Sequence, residues 1–220
     1  MSSSVSGPSP ADGTSGRLAA LRGRFDPTSW SGAIAIMLAA TVVLWIVEIV
    51  NASSNYHLDK YGLRPRSVRG LEGIITMPFL HSSAEHLLAN TGPFIIIGFM
   101  VLIAGLRQFL LSSVIIVIGG GVLTWLLAPS GIIVGVSALV FGWLAYLLAR
   151  AYFARKVMWI LAAAFALFFF SGLFTGLLPG VHSEVSWQAH VCGFVAGIGA
   201  GWILHPRKGS ARATKRTATA

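Results

Sequence analysis

The chain reads as an all-α membrane protein, a bundle of six transmembrane helices, and three observations point there. Hydrophobic residues make up 55% of its 220 residues and charged residues only 10%, with a mean hydropathy of +0.76, a composition that suits membrane spans better than a soluble core. The apolar residues gather in six long runs, and about 20 such residues cross ~30 Å of hydrocarbon at 1.5 Å per residue. The connections between most of these runs are short.

The first run extends from about Ser31 to Val50, the second from His86 to Gly105 and the third from Gln108 to Leu127, all dense in Ile, Leu and Val. The fourth, Gly135 to Arg150, is shorter. A fifth, Val157 to Leu178, is rich in Ala, Leu and Phe, and a sixth runs from Trp187 to Leu204. The first lies too far from the start, and is too long, for an ordinary cleaved signal peptide, so it reads as a retained span. Residues 1–30, rich in Ser, Gly, Pro and Arg, read as a disordered cytoplasmic extension, 31–204 as the membrane domain and 205–220 as a basic cytoplasmic tail.

Charge orients the bundle, because Lys and Arg near span ends favour the cytoplasmic side. With both termini inside, that face carries Arg17, Arg22, Arg24, Arg107, Arg150, Arg155, Lys156, Arg207, Lys208, Arg212, Lys215 and Arg216, against Lys60, Arg64, Arg66 and Arg69 outside. Basic residues at membrane edges account for the net charge of +9, so the expected partner is the lipid bilayer and not nucleic acid. The single cysteine, Cys192, excludes an internal disulfide; it reads as a small buried filler or, as the alternative, a reactive thiol. No phosphate or dinucleotide loop and no His-Glu-x-x-His is present, so neither a cofactor nor a metal is expected.

Helical arithmetic then assigns depth. Ser137 lies thirteen residues above Arg150, or ~20 Å of helix, and His190 lies fifteen above His205, or ~22 Å. Asn90 lies seventeen above Arg107, or ~25 Å, with His86 one turn higher on the same face. Four polar side chains therefore reach the outer third of the bilayer, where polar groups need partners and face a bundle interior or a water-filled cavity. Singly, a serine in a membrane helix is a packing residue bonded to its own backbone and a histidine an interhelical bridge. Together they suit covalent catalysis: Ser137 as nucleophile, His190 as general base. The N-terminal end of the fourth span would offer backbone N–H groups to an oxyanion. Gly135 permits close approach there, and His86 and Asn90 read either as further donors to that oxygen or as an interhelical polar clamp. Ala138 with Gly142, and Gly193 with Gly197, form small-xxx-small faces that would bring spans four and six together.

At these residues the chain resembles the rhomboid family of intramembrane serine proteases. The resemblance rests on Gly135-Val136-Ser137-Ala138, on Ala189-His190 through Gly193 to Gly197, and on His81 through His86 to Asn90, in family order. It implies a six-helix rhomboid-like fold from about residue 31 to 204, Ser137 and His190 as the catalytic dyad, and His86, Asn90 and the Ser137 N–H around the oxyanion, with His81 in support. Two departures stand out: Ala138 replaces the usual Gly after the serine, and Phe141 stands where some members have Tyr, keeping a ring for His190 without its hydroxyl. The loop Asn51 to Ser83 also lacks the Trp-Arg pair of some members. The implied reaction is peptide hydrolysis near the outer end of transmembrane-protein substrates, admitted laterally near spans two and five. The alternatives are a noncatalytic rhomboid-like protein that binds membrane helices, a small-solute channel lined by His86 and His190, and, weakest, an intramembrane metalloprotease.

Overall fold

The computed structural model describes residues 26–27, 29–178 and 186–205. The expected cytoplasmic extension and tail therefore fall almost wholly outside the described residues. Within them the chain is helical, with one isolated antiparallel bridge between Leu63 and Ile133 in place of any strand.

Helix α1 (Trp30–Ser53) starts at Ser29, whose hydroxyl accepts from the Gly32 N–H, as an N-cap should. A connection of short turns follows, including a single helical turn at Gly73–Thr76. Helix α2 (Ala84–Leu102) is capped by Ser83, which accepts from the His86 N–H at 3.1 Å, and carries Pro93 in its interior. Helix α3 (Leu106–Leu127) has a π turn at Ile116–Gly120 in its middle. Helix α4 (Ser137–Ala154) ends where Arg155 turns left-handed. Helix α5 (Val157–Phe169) gives way to a 3₁₀ segment, Ser171–Leu177, and α6 (Trp187–Ile203) closes the bundle.

Among the described residues four helices, α1 to α4, are long and apolar enough to cross a membrane. Two expected spans change. The fourth begins at Ser137 and not at Gly135, because Gly135 adopts φ +123°, outside any helical region. The fifth stops at Phe169: its 13 residues rise about 20 Å, short of the ~30 Å hydrocarbon core. Hydropathy continues unbroken to Leu178, but the backbone tightens into 3₁₀ geometry where Ser171, Gly172 and Gly176 weaken α-helix propensity.

Helix α4 is the axis of the bundle. Phe141, Trp143, Leu144, Tyr146 and Leu147 are almost fully buried, and α2, α3, α5 and α6 all pack around them. The most extensive pairing is α4 with α6, and its cause is local. A Cβ on Gly193 would overlap the Ala138 carbonyl, and one on Gly197 would overlap the carbonyl of Gly142. Backbone thus lies against backbone, the close approach that small residues permit when helices associate in lipid. The π turn of α3 meets the same seam, where Ile116 and Gly120 lie against Gly142 and Gly193. The outer surface is apolar: Ile34, Leu38, Val42 and Ile46 on α1, and Leu161 and Phe168 on α5, are exposed. Such a surface is stable facing acyl chains and unstable facing water.

Candidate active site

The segment before α4 is fastened at three successive points. Ile133 exchanges both backbone hydrogen bonds with Leu63, each 2.9 Å; the Gly135 N–H donates to Met77 O at 2.9 Å; and the Val136 N–H donates to Nε2 of His81 at 3.3 Å. Ser137 is then the first helical residue of α4. Gly135 is required twice over. Its φ of +123° disfavours any side chain, and a Cβ there would stand 3.0 Å from His86 Cε1, 3.2 Å from His86 Nε2 and 3.5 Å from Ser137 Oγ. The glycine therefore keeps open the space between His86 and the serine hydroxyl.

His190 sits in the first turn of α6, 5% exposed. Its Nε2 lies 2.8 Å from Ser137 Oγ, and its Nδ1 lies 2.8 Å from the carbonyl oxygen of Gly176. A carbonyl can only accept, so Nδ1 carries the proton; in the neutral ring Nε2 is then the acceptor for the Ser137 hydroxyl. Phe141, one turn along α4 from the serine, stacks on the imidazole. Gly193 and Gly197 set the distance of α6 from α4 and thereby the reach of His190.

The polar residues expected at one depth divide into two groups. Ser137, His190 and His86 line one cavity of about 90 Å³, together with Gly135, Ile133 and Ser186, room for about two or three waters. His86 is tied through Nδ1 to Ser82 Oγ at 3.2 Å. Asn90 does not line this cavity: its Nδ2 donates to the His86 carbonyl at 2.9 Å, four residues back on its own helix. His81 is fully buried behind the loop, its ring edge-to-face with His86. Burial, with a smaller push from His86, holds its pKa down to about 3, so it stays neutral and can accept from Val136. Cys192 is buried and in no disulfide. Among the described residues no three His, Cys, Asp or Glu side chains are grouped to hold a metal.

One contributor escaped the sequence reading: Gly176 supplies a backbone carbonyl, which no side-chain pattern announces.

A family model for the Rhomboid domain matches residues 69–207. This chain belongs to the rhomboid family. An uncharacterized protein of Mycobacterium tuberculosis is 39% identical over 188 residues, covering 82% of this chain and 78% of its own length, and a Mycobacterium bovis protein matches to the same extent. An uncharacterized Mycobacterium leprae protein is 35% identical over 191 residues, covering 83% and 76%. The matched rhomboid stretch contains every residue of the cavity described above, whereas α1 precedes it. This rhomboid is thus an integral membrane protein with relatives in mycobacteria.

Proposed function

We propose that this rhomboid is an intramembrane serine endopeptidase that cleaves transmembrane-helix substrates near the outer membrane face through a dyad of Ser137 and His190. The observation that carries the reading is the 2.8 Å approach of Ser137 Oγ to His190 Nε2, with the opposite ring nitrogen fixed as a donor by Gly176.

In this mechanism Ser137 Oγ attacks the scissile carbonyl carbon while its proton passes to Nε2. The imidazolium so formed keeps its Nδ1–H on the Gly176 carbonyl, which stabilises the added charge. The oxyanion is met by the Ser137 N–H at the start of α4, by the positive end of that helix, and by His86 across the gap left by Gly135. Collapse breaks the C–N bond, and the leaving amine takes the proton from Nε2. A water in the cavity then gives its proton to Nε2 and adds to the acyl-enzyme, and collapse of that intermediate returns the proton to Ser137. For Asn90 to join the oxyanion donors, its side chain must first turn from the His86 carbonyl to which it is bonded.

A substrate helix has its carbonyls hydrogen-bonded internally, so it must unwind locally before attack, and helix-weakening residues near the cut favour cleavage. The basic residues at the Arg150 end favour a cytoplasmic position for that face and both termini, with the cavity toward the outside. A bacterial cell membrane is the proposed location.

The test is cleavage of model transmembrane substrates by purified protein in lipid vesicles, with Ser137→Ala and His190→Ala alongside. Cleavage abolished in both folded variants supports the dyad. Helix binding that persists in the parent without any cleavage, and without labelling of Ser137 by a serine-directed phosphonate, would instead make this a noncatalytic binder.

A further inference from the structure

A second cleft lies away from the serine, on the connection between α1 and α2. It has a volume of about 400 Å³ and is lined by Lys60, Tyr61, Arg64, Val68, Arg69 and Glu72. Three cationic residues and one carboxylate are among its lining. We infer that this cleft binds the phosphodiester headgroup of an anionic phospholipid.

Three features carry the inference. First, the cations are pre-arranged. Arg64 is half-buried, its guanidinium held by Nη2 donating to the Lys60 carbonyl at 3.3 Å, while its enclosed Nε has no acceptor among the described residues. A buried donor without a partner is costly, and a phosphate oxygen is the acceptor that a guanidinium matches best. Lys60 Nζ lies 2.8 Å from His57 Nε2 and over the Tyr61 ring, which restricts it beside the cleft with further N–H donors to spare. By contrast Arg66 is already committed to the Ala128 and Leu126 carbonyls at the end of α3.

Second, the same segment presents apolar side chains. Val68 is 81% exposed, and Leu71, Ile75 and Phe79 are exposed beside it. Cations next to unburied aliphatic and aromatic groups suit the boundary between headgroups and acyl chains, whereas a site for free phosphate has no use for them.

Third, the segment is continuous with the end of the bundle that holds Ser137. Leu63 pairs with Ile133, and Met77 accepts from Gly135. A bundle embedded in a bilayer therefore carries this cleft at the same interface as the cavity.

The experiment is native mass spectrometry of the full chain in detergent, titrated with phosphatidylglycerol and, separately, with phosphatidylcholine. Phosphatidylglycerol adducts are expected to form at concentrations where phosphatidylcholine adducts do not. Arg64→Gln with Arg69→Gln should weaken them about thirtyfold, each basic residue near a membrane surface supplying roughly a factor of five. Because Arg64 also packs against Gly70, the exposed Arg69→Gln is the second variant, with about a fivefold loss expected. Arg155→Gln with Lys156→Gln, beyond the far end of α4, should leave binding unchanged. Equal retention of both lipids, an unchanged affinity in Arg69→Gln, or displacement of the lipid by inorganic phosphate would each overturn the assignment, the last in favour of a soluble anion.

Discussion

The ring of Phe141 lies nearly flat against the imidazole of His190, with centroids 4.3 Å apart and planes inclined by 25°. The stack opposes rotation of the imidazole about χ2, a freedom that a hydrogen bond at Nδ1 alone would only partly remove. Stacked aromatic pairs contribute about 0.5–1.5 kcal/mol beyond their buried area. Phe141→Leu should therefore slow cleavage by up to about tenfold, while Phe141→Tyr retains most of the rate. Turnover on a single model substrate in vesicles measures both; an unaltered Phe141→Leu rate would remove the ring from the catalytic geometry.

Gly135→Ala is expected to cost far more activity than stability. The new methyl would force a side chain into φ +123° and occupy the gap between His86 Nε2 and Ser137 Oγ. A loss of at least about 100-fold in kcat is expected, the scale of removing an oxyanion contact, in a protein that still unfolds cooperatively.

His86 and Asn90 should separate under mutation. His86 lines the cavity, whereas Asn90 is bonded to its own helix. His86→Ala is expected to lower kcat by about 100-fold and Asn90→Ala by less than about tenfold. Equal losses would mean that Asn90 turns toward the oxyanion when substrate binds, which the same kinetic comparison would reveal.

The seam between α4 and α6 sets a steric limit. Gly193→Val or Gly197→Val drives a side chain into the backbone of Ala138 or Gly142, with a destabilisation of about 3 kcal/mol or more. Thermal unfolding in detergent measures it, and Gly199→Ala, where nothing lies within 4 Å of the added carbon, serves as the tolerated control.

Acid should loosen the loop in front of Ser137. His81 has a pKa of about 3 in the folded protein against an ordinary 6.5, so between those values the unfolded chain binds the proton and the folded chain does not. Stability is therefore fully present above about pH 6.5 and declines as pH falls toward 3. His81→Gln retains an acceptor for Val136 without this titration, and its unfolding midpoint should fall less steeply over that range.

Much of the architecture was legible in the hydropathy of the chain. The runs now seen as α1, α2 and α3 were placed to within a few residues, because apolar length is what a bilayer demands of a span. Where the reading departed, hydropathy was blind to backbone geometry. It could not distinguish α-helix from 3₁₀ turns after Phe169, could not see the π turn at Ile116–Gly120, and took Gly135 into a helix that its φ excludes. Around the cavity, spacing on a helical face put His86 and Asn90 together, and they are neighbours on α2. It could not foresee that Asn90 would bond to the intervening main chain, an option open to any short polar side chain in a helix. The Gly176 carbonyl was invisible for a similar reason, since every residue carries one.

The anchor of the His190 tautomer belongs to a piece of chain that leads directly out of α5, an outlying helix that packs chiefly on α4 and whose Phe168 and Phe169 point away from the bundle. A displacement of α5 would carry the Gly176 oxygen with it, so the orientation of the imidazole on α6 is tied to where that outlying helix rests.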